Sequence, residues 1–302
     1  MPEYYKMVYP DAQLSDSTET IINQNSTTQP DKTPPPSLEE LEIDNDEEFI
    51  SFDVQTNLYK ATVSNENGGA FTFYELNNYA LNDSELVNLI DKSNRQNLGV
   101  SFRSIDGDLI NLSTGWKTTN QYDISVFSSS KTVSFYKTIE NKRISKEITF
   151  YPDRYVVDIK TNLSEASDII SQNVASISWP KGLPLTEPNR KDELTYYSAV
   201  VYQGDESYYP KAKARGQESL EKMLYPTDWV GIRTKYFFTA FVPEAKASGA
   251  EVLAIEEGET KEYSVGLLFY TLSPFNTRLY LGPLEFNRIK KLDNSLDQIM
   301  NF

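Results

Sequence analysis

The chain contains neither histidine nor cysteine. That removes imidazole general-base chemistry, Ser-His-Asp and Cys-His nucleophilic pairs, His- or Cys-ligated zinc and every disulfide together. What remains for chemistry is carboxylates, lysine, tyrosine, or a metal held by oxygen. Carboxylates stand side by side at Asp192-Glu193, Asp205-Glu206 and Glu256-Glu257. A catalytic pair has to converge on one bond, whereas adjacent strand residues point to opposite faces, so each pair is expected at a turn. "NENGGAF" (65–71) has two glycines without the spacing of a nucleotide fingerprint, and "DNDEE" (44–48) lacks the glycine and distant glutamate of a calcium loop. No catalytic residue, metal or cofactor is expected.

The aromatic residues are the other resource. Trp116, Trp179, Trp229 and the pairs Tyr196-Tyr197 and Tyr208-Tyr209 either pack sheets together or line a sugar- or peptide-binding cleft. A secreted or periplasmic carbohydrate-binding β-sandwich, with the tryptophans as stacking platforms, is the alternative function that this set supports.

Strands must position these groups, because the pattern of the chain is mostly period two. Ile144, Ile148 and Phe150 share one face, a turn follows at Pro152-Asp153, and Tyr155, Val157 and Ile159 share a face again. That is a hairpin. Further strands are expected at 98–102, 124–127, 132–138, 174–179, 199–202, 236–242, 262–270 and 276–281, with a turn at Asn67-Gly68-Gly69. Helical pattern is confined to "SELVNLIDK" (84–92) and to the C-terminus, where Ile289, Leu292, Leu296 and Ile299 recur at spacings of three and four. With 302 residues, 20 Tyr and 15 Phe, the chain reads as a large all-β domain.

The formal net charge of -15 is unevenly spread: residues 1–48 hold twelve acids against Lys6 and Lys32. An acidic chain is a poor partner for nucleic acid and is repelled by an anionic lipid surface. Residues 11–48 are polar and proline-punctuated, and are expected to be a largely disordered tether. The longest apolar run, 263–272, is about half of a membrane span, and no signal peptide is visible at the start.

Three ordered stretches resemble the large periplasmic domain of YidC-type membrane protein insertases. "VSNENGGAFTFYELNNY" (63–79) is similar to the strand pair near the start of that domain, with Gly68 and Gly69 at its turn. "KEITFYPDRYVVDIKTNLS" (146–164) is similar to its central hairpin. "DWVGIRTKYFFTAFVPE" (228–244), followed by "LYLGPLEFNRIKKLD" (279–293), carries the most specific match: Trp229, Gly231, Tyr236, Phe237, Pro243, Tyr280, Gly282 and Pro283.

The resemblance implies an all-β supersandwich, similar to galactose mutarotase, of two large antiparallel sheets with a short C-terminal helix. The implied organisation is a tether over 1–48, the sandwich over 49–287, and a helix over 288–302 leading toward a membrane span outside this chain. Ile289 to Leu296 are expected to pack on the sandwich, and 299–302 to approach the bilayer. The implied function is a non-catalytic interaction or scaffolding role in inserting and folding inner-membrane proteins, on the periplasmic side of a bacterial inner membrane. Implied partners are the Sec translocon with its SecDF components and nascent membrane-protein clients, the domain itself being a monomer. The contact segment would fall at 199–228, where Tyr208, Tyr209, Lys211, Lys213 and Arg215 form a local aromatic and basic patch.

Overall fold

The computed structural model describes residues 49–211 and 219–300. The tether, Lys213 and Arg215 lie outside the described residues. The first twelve strands are β1 (Ser51–Thr56), β2 (Tyr59–Ser64), β3 (Ala70–Ala80), β4 (Leu86–Asn88), β5 (Gly99–Ser104), β6 (Leu109–Asn111), β7 (Lys117–Thr118), β8 (Ile124–Val126), β9 (Lys131–Ile139), β10 (Lys142–Phe150), β11 (Val156–Asn162) and β12 (Ile170–Trp179). A short helix α1 (Arg190–Tyr196) precedes β13 (Ser198–Gln203), β14 (Glu206–Tyr208), β15 (Ser219–Met223), β16 (Thr227–Arg233), β17 (Phe237–Pro243), β18 (Gly249–Glu257), β19 (Thr260–Tyr270) and β20 (Phe275–Pro283). Helix α2 (Phe286–Leu292) and a 3-10 segment, Asn294–Met300, form the tail.

A nine-stranded sheet, ordered β14-β13-β16-β17-β20-β11-β10-β9-β7, is the broad layer. Over it lie a six-stranded sheet, β15-β18-β19-β12-β5-β6, and a five-stranded sheet, β4-β3-β2-β1-β8. Strands β13 and β16 pack against β19, while Phe71 of β3 meets Phe150 of β10 edge to face. The expected second large sheet is therefore divided in two. All pairings in these sheets are antiparallel except β1 with β8. The expected hairpin forms with Ile148 opposite Ile159 and Phe150 opposite Val157.

Strand β17 explains why the tail exists. All seven of its residues are buried, which a half-solvated strand cannot achieve. Phe237 meets Tyr79 of β3 in the five-stranded sheet, whereas Phe238 meets Trp229, which is bonded to the tail. Gly231 makes room for this packing, since a Cβ there would stand 2.6 Å from the Phe238 ring. The tail is fastened by side chains: Trp229 Nε1 donates to Ser295 Oγ at 3.0 Å, Arg278 to the Leu292 carbonyl at 3.0 Å, and Arg233 to the Ile299 carbonyl at 2.6 Å. Ile289, Leu296 and Ile299 are all buried. The expectation that the chain leaves the sandwich at Ile299 is corrected: this residue belongs to the packed tail.

Residues 84–92 are not helical. Val87 and Leu89 point inward in alternation, Asn88 pairs with Glu75, and the Leu89 amide donates to the Tyr74 carbonyl at 2.9 Å. The run of Leu86, Val87, Leu89 and Ile90 fits either period, and the open edge of β3 decides for a strand. Helix α1 was not expected; Asn189 caps it by accepting from the Asp192 amide at 3.3 Å.

Candidate functional site

The motif residues of β16, β17 and β20 sit together in the centre of the nine-stranded sheet. Phe237 pairs with Pro283, Ala240 with Tyr280, and Gly231 with Ala240, while Tyr280 Oη donates to the Pro283 carbonyl at 2.5 Å. A Cβ on Gly282 would stand 2.7 Å from the Tyr155 ring. Gly68 and Gly69, at φ of +68° and +114°, turn the chain from β2 into β3 beneath Trp116 and against Ile148. These positions build the fold; only Tyr236 among them is exposed.

The tryptophans are part of the core. Trp116, Trp179 and Trp229 are each at most 2% exposed, and each indole N–H is spent on an internal acceptor. Tyr197 is buried as well, so neither the tryptophans nor Tyr197 offers the stacking platform expected of a carbohydrate binder. The carboxylate pairs do not converge either. Asp192 and Glu193 lie in α1 rather than a turn, with Glu193 buried and accepting from the Glu187 amide at 2.9 Å. Among the described residues no group of three acids is placed to hold a metal.

One ionisable side chain in the core escaped the sequence reading. Lys146 occupies the inward register between Ile144 and Ile148 and is fully buried. Its ammonium donates to the carbonyls of Asn67 at 2.8 Å and Leu98 at 2.5 Å, both of which sit in left-handed backbone. Asn97 and Asn94, buried beside them, bond the backbone of Phe71 and Gly182. This polar joint links all three sheets, and burial pushes the Lys146 pKa down to about 7. Its placement was legible in principle, as a lysine at an apolar position of a period-two strand.

The candidate contact segment runs along the side where β14 and β15 edge their sheets. Tyr208 is exposed and donates to Glu221 of β15 at 2.7 Å, a bond that raises the pKa of its phenol. Tyr209 is half-buried and Lys211 exposed. Strand β15 opens directly onto a groove of about 730 Å³ on the outer face of the six-stranded sheet. Small residues make its floor: Ser101, Ser176, Ser178, Ser264 and Gly266. Leu109, Leu220, Leu224 and Tyr270, exposed by 58%, 59%, 79% and 64%, line it together with Arg103, Lys222 and Glu251. Exposed apolar side chains converging on one concavity mark a binding surface. Ser176 and Lys222 are both committed to Glu251, at 2.6 and 3.4 Å, and Arg103 donates to the Gly107 carbonyl at 2.8 Å.

Among the described residues, no helix is long and apolar enough to cross a membrane. The family model described as "YidC periplasmic domain" matches residues 51–302. The Membrane protein insertase YidC of Chlorobaculum tepidum is 28% identical over 264 residues, covering 82% of this chain and 44% of that protein. Its counterpart in Syntrophus aciditrophicus is 26% identical over 287 residues, covering 89% and 50%. The chain thus spans about half the length of the curated relatives it matches.

Proposed function

The chain belongs to the YidC periplasmic domain family of membrane protein insertases, and from that premise we propose that it acts by holding extended apolar segments of client proteins rather than by catalysis. The groove on the six-stranded sheet carries this reading. Clients of an insertase expose apolar stretches before they reach the bilayer, and such a stretch can exchange water for Leu109, Leu220, Leu224 and Tyr270. The outer edge of β15, unpaired among the described residues, offers backbone donors and acceptors to an extended chain. The setting is the periplasmic side of a bacterial inner membrane, with membrane spans supplied outside this chain. Tyr208, Tyr209 and Lys211, on the adjoining edge, are proposed as the surface met by SecDF; Tyr208→Ala with Lys211→Glu should weaken that association and leave client binding intact.

The test is fluorescence anisotropy of a labelled, extended apolar peptide titrated with this chain. Saturable binding that Leu220→Ser/Leu224→Ser removes is expected. Absence of saturable binding, or equal binding by the double variant, overturns the reading.

A further inference from the structure

A second concentration of exposed apolar groups lies away from the groove. The β3–β4 turn, the loop after β12, the β16–β17 turn and the junction of β20 with α2 converge on a recess of about 390 Å³. Leu81 and Tyr236 stand at its rim, and Phe286 follows Glu285, which lines it. All three are exposed, by 44%, 45% and 47%. The Leu284 amide donates to the Tyr236 carbonyl at 2.7 Å, which ties the two turns together as one surface.

Each exposed aromatic there carries a lysine. Lys235 Nζ lies 5.0 Å from the Tyr236 ring centre, and Lys290 Nζ lies 5.1 Å from that of Phe286. An aromatic body with an ammonium reaching past it suits the boundary between acyl chains and headgroups, where the ring partitions and the charge stays wet. The cations beside these rings are already paired: Lys235 with Asp192 at 2.7 Å, Arg288 with Glu285 at 2.5 Å and Lys290 with Asp297 at 3.5 Å. Glu187 in the recess and exposed Asp83 and Glu85 in the β3–β4 turn add acidic charge. The surface therefore has no electrostatic demand for anionic lipid. The last turn of the tail comes to the same end, because Ile299 is held by Arg233, two residues before Lys235.

We infer that this end of the sandwich rests on the interfacial layer of a lipid bilayer, with Leu81, Tyr236 and Phe286 entering the headgroup region without any requirement for anionic lipid. A bilayer is chosen over a protein partner for three reasons. The paired cations leave little for an acidic partner to read, the aromatic and lysine pairs fit an interface, and the relatives are membrane protein insertases about twice as long as the stretch matched here. Only that last reason rests on the proposed function.

The absence of cysteine from the chain makes site-specific labelling direct. An environment-sensitive fluorophore is placed at Leu81→Cys, or at Ile105→Cys in the exposed turn at the far end of β5. The full chain, with a C-terminal hexahistidine tag, is tethered to phosphatidylcholine vesicles containing nickel-chelating lipid and nitroxide-labelled headgroups. The tether supplies the effective concentration that three side chains alone do not.

Quenching at position 81 several-fold above that at 105 is expected on neutral vesicles, with no increase when anionic lipid is added. Tyr236→Ser/Phe286→Ser, labelled at 81, should fall to the level at 105 although the tether is intact. Equal quenching at both positions, or no effect of the double variant, overturns the inference. Neither result touches peptide binding in the groove, so the two readings fail separately.

Discussion

The ammonium of Lys146 and the carbonyl of Asn67 lie 2.8 Å apart at the joint where three sheets meet. One partner comes from the middle of β10, the other from the turn between β2 and β3. The bond closes a contact of long sequence separation inside the core, and a titratable group makes it.

Stability should accordingly depend on pH in a defined window. Lys146 is held at about 7 in the folded chain, against about 10.4 when unfolded. Between those values the unfolded chain binds the extra proton, so stability rises with pH by up to about 1.4 kcal/mol per unit. Below pH 7 both states are protonated and this slope vanishes. Above about 10 the sign reverses, because burial raises the pKa of Tyr59, Tyr74 and Tyr280 and the folded state then keeps protons that the unfolded state releases. Urea unfolding at a series of pH values measures this profile. Lys146→Met should flatten the rise and leave the alkaline fall; a rise that persists in the variant excludes Lys146 as its source.

Gly69 should tolerate no side chain. At φ +114°, a Cβ would stand 2.4 Å from Ile148 Cδ1 and 2.8 Å from the Phe135 ring. Gly69→Ala combines backbone strain with overpacking and is expected to cost about 2–4 kcal/mol. Gly107 has φ +94° with nothing within 4 Å of a Cβ, so Gly107→Ala isolates the backbone part, about 1–2 kcal/mol. Equal losses in the two variants would mean that the packing around Gly69 relaxes freely.

Arg233→Met should loosen the tail selectively. Removing the donor to Ile299 leaves that carbonyl unpaired beneath a buried side chain, a cost of about 1–3 kcal/mol. Amide exchange over 286–300 should accelerate, with protection in β11 and β10 unchanged. Uniform acceleration across the sandwich would show instead that the tail and the sheets unfold as one unit.

The groove substitutions should be silent in stability. Leu220 and Leu224 are exposed, so Leu220→Ser/Leu224→Ser is expected to move the unfolding free energy by no more than about 0.5 kcal/mol per site. Lost peptide binding in a variant of unchanged stability attributes the loss to the surface. A large drop in stability would show that these leucines are structural.

Much of the fold could be read from the chain, and its limits have physical causes. The hairpin of β10 and β11 was legible because one buried face writes its register into the sequence. Strand β4 was misread because four apolar residues in five positions satisfy both periods, and only the partner β3 settles the matter. The tryptophans, weighed as a platform, proved buried, since residue type does not say which side of a sheet a ring occupies. The groove escaped because its floor is small residues from separate strands, Ser101, Ser176 and Ser264, which no local pattern connects. The division of the second layer depends on which edges pair, information carried by contacts across the whole domain.

The fastening of the tail has a mechanical meaning. Trp229 and Arg233 reach it from β16 and Arg278 reaches it from β20, with β17 lying between. The tail is thus clasped across three adjacent strands, and no single strand can yield to it alone. Load on the tail is shared between β16 and β20 instead of falling on one strand.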